Sequence, residues 1–379
     1  MPLSHAVKWK DTRMAVVKWP CSRQGIRRRT AGLLVVAAGV IGGHETSPPT
    51  MSSALAASSG SAPSSWIAFQ RDSDVWLVSP DGSQERLVAR DARDPTWSPD
   101  GRHIAFDRWH GLLGGVYVKT VDGGRVRRLT RERSGTTATL MSWSPNGRMI
   151  AFYRQYSRPG TCGPLRAGDI YVMNADGSSV RSLTRHGQAH YWGAVWSPDS
   201  RRIAVVSCHQ SPRGDPEIYA IEADGSGEQR LTRRPGWDGP YGWSHDGQNL
   251  LVSGQRGAID PSALYLISAD GRRRRNLTRS PEDEFGAAAW SPDQRRIAFV
   301  RVAGGGTIHV INADGSGQRN LSAPTVPDSP PSWSPDGRQL AFSGNPSHWE
   351  VHVMNADGTK RRNLTPKGGL WPEWSPASR

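Results

Sequence analysis

The stretch WSPDGRHIAF, residues 97–106, joins a tryptophan to a Pro-Asp-Gly turn and a short apolar run. It returns as WSPNGRMIAF at residues 143–152. The tryptophan that opens the phrase occurs seven times, at Trp97, Trp143, Trp196, Trp243, Trp290, Trp333 and Trp374. Self-similarity at a period of 41 to 53 residues is typical of propellers, solenoids and other repeat architectures.

Each repeat contains four predicted strands. Strand A ends at the tryptophan, and SPDG forms a tight turn in which Pro presets φ and Gly accepts a positive φ. Strand B is the apolar run, and strand C is a segment such as IYVMN at 170–174. The following ADG is a second hairpin turn, and a phrase such as RSLT at 181–184 forms strand D. Four antiparallel strands per repeat predict the blade of a propeller.

The two ends of the chain complement each other. Seven apolar runs begin at Ile67, Ile104, Ile150, Ile203, Leu250, Ile297 and Leu340. The first run lacks a preceding SPDG, whereas Trp374 ends a strand A with nothing after its turn. We therefore predict an all-β, seven-bladed β-propeller over residues 66–379, closed by pairing the C-terminal strand A with the N-terminal strands B to D. The alternative is a six-bladed ring with a stray seventh unit.

The first 65 residues have the composition of an export segment and a spacer. Residues 1–43 place basic residues, ending in Arg27-Arg28-Arg29, before the apolar stretch 31–43, which is too short to span a bilayer. Residues 44–65 are rich in Ser, Ala and Pro. We expect a protein exported to the periplasm, cell surface or medium, with no integral membrane span in its mature form. An uncleaved tether or a misassigned start codon are the alternatives.

The basic charge does not indicate nucleic-acid binding. Of the net +14, the first 65 residues supply eight Lys/Arg against two Asp/Glu. The other clusters, such as Arg272 to Arg275, recur on strand D around the circumference. Charged residues on an outer strand edge hinder aggregation, so we interpret these clusters as edge protection.

Function is expected on one rim. The A–B and C–D turns are nearly invariant and share one rim, whereas the B–C and D–A connections on the other rim vary in length and sequence. Binding residues often lie on variable loops held by a rigid scaffold. The candidate binding residues are the aromatic side chains of that variable rim: Trp109, Tyr153, Tyr156, Tyr191, Trp192, Trp237, Tyr241, Trp349 and Trp371. About half of them are expected to have a purely structural role.

Two cysteines belong to the same rim. Cys162 and Cys208 lie in the B–C loops of neighbouring blades, and they are the only cysteines beyond the leader. An even count suits one bridge in an oxidising compartment, so we predict a disulfide between them.

The phrases WSPDG, IAF, IYVMNADGS and RxLT resemble the WD40-like repeats of the TolB propeller family. The resemblance implies a non-catalytic propeller that binds a protein or cell-envelope partner near its channel, and we expect a monomer without a cofactor. TolB proteins carry a separate domain before the propeller, whereas only the leader and spacer are expected here.

Two other functions stay open. Related repeats occur in prolyl oligopeptidase-type enzymes, which need an α/β-hydrolase domain, and in oligogalacturonate lyases, which use a metal held by several histidines. Neither a hydrolase domain nor a G-x-S-x-G phrase is expected here, and His186, His190, His209 and His348 show no metal-ligand spacing. A glycan-binding module using Trp192, Trp237 and Trp371 is the second alternative. The NADG turns are interpreted as hairpins rather than calcium sites.

Overall fold

The computed structural model describes residues 65–377, apart from 111–112, 133–135, 160–165, 185–190, 209–214, 234–236, 256–262, 279–284, 303–305, 325–328 and 345–348. Within those residues, seven four-stranded antiparallel sheets form and no helix occurs. The predicted leader and nearly all of the spacer lie outside them, so the boundaries at 43 and 65 stay predictions.

The A strands form the inner ring. Each ends at a repeat tryptophan, and A strands of successive blades contact one another all the way round, including the last with the first. They are β4 (Arg93–Trp97), β8 (Thr136–Trp143), β12 (Tyr191–Trp196), β16 (Trp237–Trp243), β20 (Phe285–Trp290), β24 (Ser332–Trp333) and β28 (Leu370–Trp374).

Strand B lies at the middle of each sheet, where its apolar run is covered on both faces. In blade two, Ile104, Ala105 and Phe106 are all fully buried. The B strands are β1 (Ile67–Arg71), β5 (His103–His110), β9 (Met149–Pro159), β13 (Arg202–Ser207), β17 (Asn249–Gln255), β21 (Arg296–Arg301) and β25 (Gln339–Gly344).

Strand C pairs with strand B in regular antiparallel register, for example Phe106 opposite Tyr117. The C strands are β2 (Asp74–Val78), β6 (Leu113–Thr120), β10 (Arg166–Asn174), β14 (Glu217–Glu222), β18 (Ala263–Ser268), β22 (Thr307–Asn312) and β26 (Glu350–Asn355).

Strand D is followed in most blades by a Leu-Thr pair, and both residues of this pair have a structural role. The leucine enters the core, and the threonine hydroxyl accepts a strand C backbone N–H, as Thr130 Oγ1 does from Val116 at 3.0 Å. In blades two, three, four, five and seven this bond continues the sheet beyond the two or three paired residues of strand D. The D strands are β3 (Glu85–Ala89), β7 (Arg127–Arg128), β11 (Arg181–Ser182), β15 (Gln229–Arg230), β19 (Arg274–Asn276), β23 (Arg319–Pro324) and β27 (Arg362–Asn363).

The ring closes as predicted. Strand β28 pairs with β1, with Ile67 opposite Trp374. Two hydrogen bonds lie beside this pair, from Ser375 N to Trp66 O at 2.7 Å and from Trp66 N to Ser375 Oγ at 3.0 Å. The seven-bladed prediction is therefore confirmed, and the six-bladed alternative is excluded.

The repeat tryptophans pack between blades. Six of the seven are less than a tenth exposed, and Trp290 is partly buried against its neighbouring cluster. Four indoles also donate to strand A of the preceding blade; Trp97 Nε1, for example, lies 3.0 Å from the carbonyl oxygen of Glu373. The fixed tryptophan therefore joins neighbouring A strands.

Candidate functional site

The strand order gives the ring of blades two rims. The turn rim carries the A–B and C–D turns, and the loop rim carries the B–C and D–A connections. The A–B turns are nearly constant in sequence, as in SPDG at 98–101 and SPNG at 144–147, whereas the loop-rim connections differ from blade to blade.

Side-chain hydrogen bonds explain why the turns of the turn rim are so uniform. In SPDG at 98–101, Asp100 Oδ1 accepts the Ser98 hydroxyl at 2.5 Å and the backbone N–H of Arg102 at 3.0 Å. In the NADG turn at 174–177, Asp176 Oδ1 accepts both the backbone N–H and the hydroxyl of Ser178. The same bonds recur at Asp314 and Asp357, so these turns have the hairpin chemistry expected from the sequence.

These bonds hold the aspartates ionised. The Ser79 hydroxyl and the backbone and hydroxyl of Ser83 lower the pKa of Asp81 to about 2. The pKa values of ten further turn aspartates are lowered for the same reason, although partial burial opposes the shift at several of them: Asp100, Asp176, Asp199, Asp224, Asp246, Asp270, Asp293, Asp314, Asp336 and Asp357.

Arginines of strand D connect neighbouring blades at the turn rim. Arg127 Nη1 donates to the Asp176 carbonyl oxygen of the next blade at 2.7 Å, and Arg275 Nη2 donates to that of Ala313 at 2.8 Å. Arg362 makes the equivalent bond to Pro80 across the closure, at 3.1 Å. The basic clusters that the sequence suggested were edge protection therefore also join blades.

The loop rim places the predicted aromatic residues in three kinds of environment. Tyr153 and Tyr191, with 7% and 1% of their surface exposed, pack in the core between blades three and four. Both rings therefore belong to the core. The side chains of Trp192 and Trp237 lie outside the described part of the structure.

Three more candidates are half-buried and engaged with the scaffold. The ring of Trp109 covers Gly114, where an added Cβ would lie 3.2 Å from it. The Tyr156 hydroxyl lies 3.2 Å from Asp169 Oδ2 and 2.9 Å from the Tyr171 hydroxyl. The Tyr241 hydroxyl donates to a backbone carbonyl of the next blade.

Trp349 and Trp371 stand apart from the other candidates. Both have positive φ, 49° and 52°, which is a strained conformation for a bulky residue. The Trp349 carbonyl oxygen accepts the Gly369 N–H at 2.5 Å, and the Trp371 N–H donates to Ser343 Oγ at 2.9 Å. Trp371 is 37% exposed, more than any other Phe, Tyr or Trp residue whose exposure the structure describes. These contacts fix the backbone of both tryptophans at the loop rim, where blades seven and one meet.

Glu373 is a residue that the sequence analysis missed. It directly precedes Trp374, and the other six repeats have Thr, Ser, Val, Gly, Ala and Ser at this position. Burial raises its pKa to about 7, although Trp97 N and Thr96 Oγ1, each 3.4 Å from Oε1, oppose the shift. Aligning the seven repeats would have revealed it as the only ionisable residue at this position.

Two cavities among the described residues lie on the turn rim rather than the loop rim. One, of about 360 Å³, includes Glu373 and four turn prolines at the inner ring: Pro99, Pro292, Pro335 and Pro376. The other, of about 390 Å³, lies between blades two and three, beside Trp143 and Asp176. The sequence did not predict either cavity.

The predicted disulfide and metal ligands lie partly or wholly outside the described residues. Cys208 is 3% exposed and is not a free thiol, but Cys162 falls in the gap at 160–165, so their pairing stays a prediction. His186, His190, His209 and His348 also fall in gaps. Elsewhere in the described chain, no three His, Cys, Asp or Glu side chains group as metal ligands. No described helix is long and apolar enough to cross a membrane.

Curated relatives match parts of the chain. A putative tricorn protease homolog 2 of Streptomyces coelicolor is 40% identical over 221 residues, which cover 44% of this chain and 18% of that protein. A Tol-Pal system protein TolB of Anaeromyxobacter dehalogenans is 31% identical over 167 residues, covering 42% and 37%. The chain thus spans well under half the length of these relatives.

Solved structures share the fold at low sequence identity. TolB from Acinetobacter baumannii has a TM-score of 0.53 at 19% identity, covering 82% of this chain and 67% of that one. A puromycin-hydrolyzing peptidase of Mycobacterium tuberculosis has a TM-score of 0.61 at 14% identity, covering 81% and 54%. An oligogalacturonate lyase in complex with manganese has a TM-score of 0.56 at 13% identity, covering 78% and 83%.

The family description "TolB beta propeller domain" matches residues 49–280 and 190–378, which together include all seven blades. The sheet order and the closing strand agree with that match. The chain belongs to the TolB β-propeller family.

Proposed function

We propose that this protein is an exported, non-catalytic propeller that binds a protein or cell-envelope partner through its loop rim and the adjoining mouth of the channel. The pair Trp349 and Trp371 carries this proposal. Surface aromatic rings held in fixed positions lose little conformational entropy on binding and are frequent anchors of protein interfaces. Two such rings in strained backbone conformations suit a surface selected for contact rather than for stability.

The contrast between the rims supports the same assignment. The turn rim uses its aspartates within the turns and its arginines between blades. The loop rim carries the connections that differ from blade to blade, and variation of this kind lets one scaffold recognise a particular partner. Two curated relatives named for the Tol-Pal system agree with an envelope role.

The test is capture of partners by the full chain from the envelope fraction of its own cell, with metal analysis of the same sample. We expect one or more proteins retained in stoichiometric amount, with retention reduced about tenfold or more by Trp371→Ala, a typical effect for an aromatic anchor. Arg338→Gln is the matched control, because Arg338 is 86% exposed on the turn rim. Equal loss in both variants, or no retention by the unaltered chain, would refute the proposal.

An enzyme and a glycan-binding module are the alternatives, and the same sample separates them. The relative named as a tricorn protease homolog and the lyase in complex with manganese motivate the enzyme. A bound transition metal in stoichiometric amount would favour it. Retention of polysaccharide instead of protein, lost in Trp371→Ala, would favour stacking of a sugar on the exposed indole.

A further inference from the structure

Corresponding positions in the seven blades can be compared directly, because their strand registers are the same. At the loop-rim end of strand C, blade four has Glu217, which is 2% exposed. Its carboxylate accepts Arg230 Nη2 at 2.6 Å and the Thr232 hydroxyl at 2.5 Å. A buried carboxylate therefore accepts hydrogen bonds from the guanidinium of strand D and from the threonine hydroxyl of the Leu-Thr that follows it.

Blade three also has a buried carboxylate at this position of strand C. Asp169 is 4% exposed and accepts the Thr184 hydroxyl at 2.8 Å. The neighbouring guanidinium, Arg154 of strand B, pairs with Glu132 at 3.0 Å. In both blades each cation has a carboxylate of the chain beside it.

Blade two lacks the carboxylate at this position. Tyr117 lies opposite Arg128 in blade two as Tyr219 lies opposite Arg230 in blade four. Counting back two residues, Gly115 takes the place of Glu217. Gly115 also lies opposite Arg108, the counterpart of Arg154.

Two cations remain around that glycine. The Cζ atoms of Arg108 and Arg128 lie 5.4 and 5.7 Å from the centroid of the Tyr117 ring. Arg128 Nε and Nη2 and Thr130 Oγ1 each lie 3.3 Å from the point that a Cβ on Gly115 would occupy. Arg108 Nε donates to the Arg90 carbonyl oxygen, a neutral acceptor, at 3.1 Å.

The Thr130 hydroxyl of blade two accepts a hydrogen bond and can also donate one. Thr130 is 2% exposed, and its oxygen accepts the Val116 N–H. In the part of the chain that the structure describes, no acceptor receives its hydroxyl proton and no carboxylate lies against Arg108 or Arg128. Two guanidiniums thus lie beside the same Tyr117 ring and close to a buried hydroxyl. An anion bound between them would reduce their mutual repulsion and accept hydrogen bonds from all three groups.

We propose that blade two binds a carboxylate group of a ligand beside Gly115, with the Arg108 and Arg128 guanidiniums and the Thr130 hydroxyl as donors. The chain itself supplies the precedent, since the Glu217 carboxylate meets the equivalent arginine and threonine in blade four. Guanidinium and carboxylate match in shape and charge, which selects a planar carboxylate over a neutral amide. Arg128 is exposed and Arg108 is half-buried, so a ligand in solution can reach both guanidiniums.

The first measurement is a titration of the full chain with glutarate, followed by calorimetry or by NMR of the arginine side chains, with neutral glutaramide as the reference ligand. We expect a millimolar Kd for glutarate, typical of one small charged group, and no binding of glutaramide. Arg128→Gln and Arg108→Gln should each weaken glutarate binding about tenfold, or 1.4 kcal/mol. Arg125→Gln, an exposed charge on the turn rim, should leave the Kd unchanged.

A second variant tests the precedent from blade four. Gly115→Glu places the carboxylate on the chain, so it should abolish glutarate binding and raise the melting temperature. Gly115 is not in the left-handed region, so a side chain is allowed there. Glutarate binding that persists in Gly115→Glu, falls equally in Arg125→Gln, or is missing in the unaltered chain would overturn the proposal. Because the probe is a small molecule, this result does not depend on the proposed macromolecular partner.

Discussion

At the residue scale, a few positions carry constraints that their neighbours in the repeat do not share. Gly271 and Gly147 both sit in turns at φ near +70°. A Cβ on Gly271 would lie 2.7 Å from the Leu231 carbonyl oxygen of the preceding blade, whereas one on Gly147 would meet nothing closer than Pro99 at 3.8 Å. The C–D glycine is therefore required by blade contact as well as by turn geometry.

This difference can be measured with two alanine variants. Gly147→Ala should cost about 1 kcal/mol of unfolding free energy through the positive φ alone. Gly271→Ala should cost about 1–3 kcal/mol more, because the backbone oxygen of Leu231 cannot move away cheaply. Denaturant unfolding of both variants checks this, and equal losses would show that blade contact adds nothing at this turn.

Glu373 predicts a pH dependence of stability. Its folded pKa of about 7 lies above the ordinary 4.5, so the folded state favours the protonated form. Its contribution is therefore full below about pH 4.5 and is lost as the pH rises through 7. Glu373→Gln should match the unaltered chain at pH 4.5 and exceed it at pH 8 by on the order of 2 kcal/mol. A difference that does not vary with pH would contradict the burial of this carboxyl.

At the element scale, the blade is a sheet whose turns are held by ionised aspartates. Their folded pKa values lie below the ordinary 3.8, so their contribution is full above that pH and is lost as the pH falls toward 2. The chain should therefore lose stability steeply between about pH 4 and pH 2. Asp81→Asn removes one such carboxyl, so the unfolding free energy should fall less steeply with decreasing pH, by the equivalent of up to about one bound proton. The measurement is the unfolding free energy of both chains as a function of pH. An unchanged slope would show that the turn bonds of Asp81 do not persist in solution.

Much of the blade could be predicted from the sequence, because the repeat states it seven times. The turns, the strand order and the burial of the tryptophans follow from Pro-Gly chemistry and alternating apolar residues. The role of Thr130 and the bonds of Arg127 to the next blade could not be predicted, because they depend on which strands face each other.

The candidate site was less predictable than the blade. The aromatic set included Tyr153 and Tyr191, whose burial depends on the packing of two particular blades. Glu373 and Gly115 were missed for another reason. Glu373 is the one ionisable residue at its repeat position, and Gly115 is the one glycine at a position where four of the seven repeats have Asp or Glu. Such differences between repeats are hidden by the pattern that the repeats share.

At the scale of the whole molecule, the ring is fastened by one strand. Removing residues 369–379 deletes β28 and exposes β1 as an unpaired edge. Loss of several kcal/mol is expected, and at roughly 2–4 °C per kcal/mol the melting temperature should fall by about 10 °C or more. A peptide of residues 369–379 added in trans should restore part of the loss. A truncated chain as stable as the full one would contradict closure.

The assignment of roles to the two rims is tested most directly by site-specific photo-crosslinking in the protein's own cells. A photoreactive amino acid is placed at position 371 on the loop rim or at position 338 on the turn rim. Both positions are exposed, by 37% for the residue at 371 and 86% for the side chain at 338. We expect a discrete covalent adduct with a partner from position 371 and none from position 338. An adduct from position 338 with none from position 371 would show that the rims have been assigned the wrong way round.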